Sequence, residues 1–338
     1  HSYKRFLAMA FSTVVWSAAL CGCHSKAPVL DSSAASSQTV EQGWIGIYSS
    51  FPTLPVREYP EYMSAGYSCK IQEFSQYAQP LEALTAGKVD VCVAALPSVL
   101  QAQLDGHTVK ILCNFYQKGS AVVTAAVLLI ARRVSLRRLI LPLAAVFAAY
   151  FALNAAASAA VSADLYNRQM DANAITWKEM APLQLNAALK AGTIDAYCGD
   201  AALAGTAFMQ GYGKILAYPY ADDLGYGNLV LVTTEAKIQE KRDWLQEMVN
   251  TNYQVMEMAA PLEDFGLSAA AEFGLDSQGI LQERDNYQWV WDMEEEYVMF
   301  TRNLCNYLVQ MGIFRSIPDM NTLFDFTFLE NRSQEFVR

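Results

Sequence analysis

The feature that most constrains this chain is an eleven-residue pattern that occurs twice. Leu81-Glu82-Ala83-Leu84-Thr85-Ala86-Gly87-Lys88-Val89-Asp90-Val91 reads against Asn186-Ala187-Ala188-Leu189-Lys190-Ala191-Gly192-Thr193-Ile194-Asp195-Ala196. The offset, from Asp90 to Asp195, is 105 residues. Each copy continues through small residues to a glycine, a lysine and Ile-Leu: Gly106 to Lys110-Ile111-Leu112, and Gly211 to Lys214-Ile215-Leu216. The period is too long for a solenoid, so the repeat implies two similar lobes.

The unit has a physical reading. Apolar residues at helical spacing stop at Gly87 or Gly192, where a helix can close on a left-handed residue. A strand is predicted at 89–93 and at 194–198, then a small-residue turn and a second helix. A further strand follows at 109–113 and at 214–217. This alternation predicts an α/β fold with two parallel-sheet lobes and helices on their faces. Open α/β sheets bind ligands beyond the carboxyl ends of their strands. Two facing lobes then make a cleft that closes by a hinge, with segments 92–95 and 197–200 pointing into it. Two α/β domains with no shared site are the plainer alternative.

Composition narrows the function classes. The chain has 338 residues, 53% hydrophobic and 17% charged, which suits about two ordered domains. Its formal net charge of -10 argues against a nucleic-acid partner. The three histidines are His1, His24 and His107, and the first two fall in the N-terminal segment. A zinc site with several histidines is thereby excluded, and a Ser-His-Asp triad has only His107 to draw on. His107 follows Gly106 in a turn and is expected on the surface. Cys69, Cys92, Cys113, Cys198 and Cys305 are irregularly spaced with no CxxC pair. They read as small buried hydrophobes and not as a metal or redox motif. With no phosphate-binding glycine loop and no nucleophile beside a base at motif spacing, no catalytic residue, cofactor or metal is assigned.

The N-terminus reads as an address. Lys4 and Arg5 precede an apolar run over 6–20, ending in Leu20-Cys21-Gly22-Cys23. A basic start, a short apolar stretch and small residues describe an export signal, and the run is short for a membrane span. Leu-x-Gly-Cys resembles a bacterial lipobox, which makes Cys23 the expected lipidation site. An ordinary signal peptide is the alternative. Residues 24–42, rich in Ser and Ala, suit a flexible tether.

Gly87-Lys88-Val89-Asp90-Val91, and Gly192-Thr193-Ile194-Asp195-Ala196-Tyr197-Cys198-Gly199-Asp200, resemble the substrate-binding proteins of nitrate/sulfonate/taurine-type ABC transporters, a superfamily that includes the NMT1-like, thiamine-pyrimidine group. Trp44-Ile45-Gly46-Ile47-Tyr48-Ser49-Ser50 is similar to that family's first strand and ligand-facing turn. Gly119-Ser120-Ala121-Val122-Val123 is similar to its crossover between lobes, and Met311-Gly312-Ile313 with Phe324-Asp325-Phe326-Thr327-Phe328-Leu329 to its ending. The resemblance covers most of residues 43–330. It implies a bilobal type II periplasmic-binding-protein fold. The expected division is signal peptide 1–23, tether 24–42, lobe one 43–117, lobe two 118–224, and a return to lobe one with C-terminal helices over 225–338.

The implied function is capture of a small organic or anionic solute between the lobes and its delivery to an ABC permease, by a monomer lipid-anchored outside the cell. The expected ligand-binding positions are Ser49, Ser50, Phe51, Ala95, Ser98, Gly119, Ser120, Tyr197, Cys198, Gly199 and Asp200. Alternatives are a pyrimidine-precursor enzyme of the same superfamily and a membrane-associated ligand sensor. Two departures stand out. Nitrate-type members carry a Gly-Glu-Pro-Trp-like segment where this chain has Gly199-Asp200-Ala201-Ala202, which argues against nitrate and bicarbonate. The start of lobe two, Leu136-Arg137-Arg138-Leu139-Ile140-Leu141-Pro142-Leu143-Ala144-Ala145, lacks the family's polar turn. The uncharged stretch 139–161, preceded by Arg132, Arg133, Arg137 and Arg138, reads as a buried strand and helix or as a membrane span. A locally altered sequence is a third reading.

Asp90 and Asp195, following the first residue of each predicted strand, are expected to accept backbone hydrogen bonds structurally. The run from Trp289 to Glu296 reads as a helix with Trp289 and Met293 on a packed face and Glu295 opposite.

Overall fold

The helix-strand-helix-strand unit that occurs twice in the sequence is built twice in space. The computed structural model describes residues 40–126, 178, 180–220, 225–259, 267 and 270–335. Cys23, the tether up to residue 39 and the stretch 139–161 lie outside the described residues.

The chain enters on β1 (Glu41–Tyr48), makes a 3-10 helix over Phe51–Glu58 and forms β2 (Tyr67–Phe74). The first copy is α1 (Gln79–Thr85), β3 (Val91–Ala95), α2 (Leu96–Leu104) and β4 (Val109–Lys118). After β5 (Ser120–Ala125), the second copy is α3 (Pro182–Ala191), β6 (Ala196–Asp200), α4 (Ala201–Met209) and β7 (Gly213–Ala217). The return comprises β8 (Gly227–Thr234), α5 (Glu235–Ala259), α6 (Ser277–Gln282), β9 (Tyr287–Trp289) and α7 (Glu295–Gln310).

The strands form a six-stranded sheet, β2-β1-β3-β8-β4-β9, and a three-stranded sheet, β6-β5-β7. The parallel character expected from the repeat holds within each unit: β3 and β4 run the same way, as do β6 and β7. A third strand, antiparallel to both, sits between them. It is β8 in the first sheet and β5 in the second. These inserted strands belong to no repeat, because β5 carries the chain out of the first sheet and β8 brings it back.

Strands β3 and β6 begin two residues later than the sequence suggests. The closing glycines explain the delay. Gly87 and Gly192 adopt φ of 72° and 69°. The next residue then turns back to cap the helix: Lys88 N–H donates to Ala83 O at 2.8 Å and Thr193 N–H to Ala188 O at 3.0 Å. Only after that can the chain join a ladder. Asp90 therefore precedes its strand, yet it accepts a backbone bond as expected, from Trp44 N–H at 2.8 Å.

Between β4 and β5 lies a single reversal, Lys118-Gly119, with φ of 55° and 75°. A Cβ at Gly119 would collide with the Tyr116 ring, so both the backbone and the space require glycine. Helix α5 carries Trp244, fully buried, over Gly43 of β1. Helix α6 packs on α4, where Gly205 and Gly279 approach backbone to backbone. All five cysteines of the described residues are buried thiols, with no disulfide among them, and His107 is exposed.

The run from Trp289 departs from the expected helix. Trp289 ends β9, pairs with Tyr116 on β4, and donates its indole N–H to Pro52 O at 2.7 Å. The helix starts only at Glu295. Trp289 and Met293 are both buried, but a strand and a loop place them, not one helical face. Among the described residues, no helix is long and apolar enough to cross a membrane.

Candidate functional site

Between the ends of β1 and β6 is a cavity lined by Ser49, Ser50, Phe51, Tyr77, Pro182, Leu183, Asp200, Leu203, Phe273 and Leu275. Its lining combines first-sheet elements with α3, β6 and α4 of the second. Its volume is about 10 Å³, room for about one water.

Local structure fixes each polar group. Ser50 caps the 3-10 helix: its backbone N–H donates to Thr53 Oγ1 at 3.3 Å, while Thr53 Oγ1 donates to Tyr48 O at 2.5 Å. Ser49 N–H donates to Phe74 O at 2.9 Å, which continues the β1–β2 ladder by one rung. Phe51 packs edge-on against Tyr287 and tilted against Trp289, at centroid distances of 5.5 and 5.3 Å. Tyr48 lies 3.9 Å from the Tyr77 ring.

Asp200 is the one acid of the cavity. It ends β6, and its Oδ1 accepts from Ala202 N–H at 2.8 Å, which caps α4. Tyr116 of β4 donates its hydroxyl to Asp200 Oδ2 at 3.3 Å. This bond joins the two sheets, and Ala201 N–H adds a second link to Gly119 O at 2.8 Å. Asp200 is 6% exposed. Burial pushes its carboxyl up to about 7; the bonds from Ala202 and Tyr116 pull the other way, and repulsion from Glu283 adds to the rise. The Tyr116 hydroxyl is held well above the usual phenol range, first by burial and then by the Asp200 charge. It therefore stays a donor. The start of α4, where an anion would find free N–H groups, is filled by the chain's own carboxylate.

The expected site residues separate into two sets. Ser49, Ser50, Phe51 and Asp200 come together in the cavity. Gly119 forms the crossover reversal, and Ser120 Oγ faces Asn228 Nδ2 at 3.2 Å beside it. Ala95 is the residue before α2, with no side-chain cap, and Ser98 lies within that helix. Tyr197 is buried in β6 and donates to Asn186 Oδ1 at 2.7 Å. Cys198 is buried there too, its thiol pushed up by burial. Gly199 faces Leu185 and Tyr197. Sequence reasoning missed Tyr77, Pro182, Leu183, Leu203, Phe273 and Leu275. They carry no motif, and Phe273 and Leu275 arrive from more than seventy residues beyond Asp200. Tyr116 was missed as well, though its position just ahead of the crossover glycine was a usable signal. Among the described residues, no group of three His, Cys, Asp or Glu side chains could hold a metal ion.

Comparison with known proteins fits this geometry. Residues 33–264 match the model of the NMT1-like family. No curated protein sequence matches the chain. Among solved structures, the periplasmic nitrate-binding protein NrtA from Synechocystis PCC 6803 superposes with a TM-score of 0.69 at 11% identity, over 88% of this chain and 89% of that one. The alkanesulfonate-binding protein SsuA from Xanthomonas axonopodis pv. citri, bound to MOPS, gives 0.68 at 15% identity, over 84% and 98%. The ligand-binding component of an ABC-type import system from Staphylococcus aureus, with zinc bound, gives 0.68 at 13%, over 87% and 99%. These likenesses show the fold: an α/β, bilobal periplasmic-binding-protein architecture.

Proposed function

The chain belongs to the NMT1-like family, and from that premise we propose that it is an extracytoplasmic solute-binding protein that captures a small organic solute between its two sheets and delivers it to an ABC importer. The observation that carries this reading is the cavity where Ser49, Ser50 and Phe51 from one sheet meet Asp200 from the other. At about 10 Å³ it is too small for an organic solute, so one enters only when the sheets part. The Lys118-Gly119 reversal is the pivot, and the Tyr116–Asp200 bond is broken and remade on each cycle.

The lining favours an organic solute over a simple inorganic anion. Most of it is apolar, and Asp200 already occupies the helix start that would hold an anion. The solute offers an apolar body to Phe51, Leu203 and Phe273 and a hydrogen-bond donor to Asp200. No step of bond making is assigned; the protein is a binder and not an enzyme, and turnover of a pyrimidine precursor would overturn that. Export, a lipid at Cys23 and a monomeric state complete the proposal, with mass spectrometry of the membrane-extracted protein as the check on the lipid.

A thermal-melt panel on the full chain tests the ligand, with nitrate, bicarbonate, taurine, alkyl sulfonates, aromatic carboxylates and thiamine-type pyrimidines. A solute at ~100 times its Kd adds about 2.7 kcal/mol. The expected result is a shift with an organic member and none with nitrate or bicarbonate. Ser49→Ala with Asp200→Ala abolishes the shift; unchanged affinity in that double variant would refute the cleft assignment.

A further inference from the structure

A second cavity, of about 270 Å³, shares no residue with the cleft. It opens where β4 ends and β8 begins. Gln117, Tyr226 and Gly227 form one side, and the start of α7 forms the other. Its lining includes Asp292, Glu294 and Glu296, all exposed, and no lysine or arginine. The rings of Tyr226 and Phe300 meet edge to face at 6.0 Å and make an aromatic wall. That wall already attracts an ammonium: Lys118 Nζ lies 5.5 Å from the Tyr226 centroid.

One buried group of the lining is informative. Tyr297 is 7% exposed, and its hydroxyl has no hydrogen-bond partner. It lies against Gly227, where an added Cβ would stand 2.6 Å from the oxygen, and both residues line the cavity. Burial of an unmet hydroxyl is unfavourable until a partner arrives. The dipole of α7 accounts for acids in its first turn. It accounts neither for Asp292, which lies before the helix, nor for the idle Tyr297 hydroxyl.

We propose that this cavity binds a small organic ammonium. The charged head sits among the carboxylates, the apolar body lies against the aromatic wall, and a hydroxyl or carbonyl of the ligand accepts the hydrogen bond that Tyr297 offers. Isothermal titration of the full chain with phenylethanolamine tests this, beside neutral phenylethanol and anionic phenylacetate. The ammonium binds, the alcohol binds at least about tenfold more weakly, and the carboxylate does not bind; rising salt weakens the ammonium. Glu294→Gln with Glu296→Gln lowers affinity about tenfold. Tyr297→Phe, which keeps the ring and its packing and removes the unmet hydroxyl, lowers it several-fold without lowering the melting temperature. The proposal falls if a cooperatively melting chain fails to bind the ammonium, if the three probes bind alike, or if the double glutamine variant binds as the parent does. It also falls if a crystal of the complex places the ammonium in the cleft around Asp200, an outcome that would bear on the solute-binding reading instead.

Discussion

Asp90 and Asp195 occupy the same position in the two copies, yet they live in different worlds. Asp90 is buried, with Lys237 at 3.0 Å, Lys241 at 3.1 Å and the Trp44 N–H on its carboxylate. Asp195 is exposed, and its backbone oxygen, not its side chain, accepts from Thr124 and Ala125. Both lysines belong to α5, outside the repeat, and Lys241 sits where that helix kinks. The residues ending the two strands diverge in the same way. Ala95 leaves α2 uncapped by a side chain, whereas Asp200 caps α4 and reaches Tyr116. The repeat specifies the unit; what packs on the unit from elsewhere decides what each shared residue does.

The largest test of this contrast is at Asp200. Burial raises its folded carboxyl to about 7, above its ordinary value of 3.8. The folded state then holds a proton that the unfolded state has released, so stability falls as pH rises from about 4 to about 7. Asp200→Asn keeps a capping oxygen and removes the titration. It should match the parent near pH 4 and exceed it by as much as about 4 kcal/mol near pH 8, measured by denaturant melts. Equal pH profiles would place the carboxylate in water and undo its role in the closed cleft.

Next come the paired aspartates. Asp90→Ala removes the carboxylate shared by Lys237 and Lys241, of which Lys237 keeps Glu240, and should cost about 3 kcal/mol at neutral pH. Asp195→Ala should stay within about 0.5 kcal/mol. The carboxyl of Asp90 lies below its usual value because, against the cost of burial, Lys237, Trp44 and Lys241 favour its charge. Its contribution is therefore present above about pH 4 and lost as pH falls through the depressed folded value, and the gap between the two variants narrows in acid. The smallest effect should be shared. Gly87→Ala and Gly192→Ala each meet open space but a left-handed backbone, and each should cost about 1 kcal/mol. A large difference between them would mean the copies diverge even where they look identical.

The same contrast explains what the sequence could and could not disclose. Helix-closing glycines, alternating apolar runs and the crossover glycine are local signals, and the units they announce are present. The positions of β8 between β3 and β4, and of Lys237 and Lys241 around Asp90, have no local signature, because they arise from chain segments over 100 residues away. At the site, Ser49, Ser50, Phe51 and Asp200 were legible because they end a strand or directly follow one. Tyr77, Phe273 and Leu275 were not, since any buried apolar or aromatic residue looks alike until the fold brings it to the wall.

The placement of β8 has a consequence for how the chain is made. Thr233 Oγ1 on β8 donates to Asp90 O across 143 residues of sequence, and α6 reaches α4 from later still. During synthesis both repeat copies leave the ribosome before the strand that separates β3 from β4 exists. The facing edges of β3 and β4 stay open and adhesive through that interval, whereas β6 and β7 already have β5 to pair with. The last third of the chain is thus a keystone for the first sheet: β3 and β4 are joined only when it is set, and a nascent chain halted before residue 227 presents their edges to its neighbours.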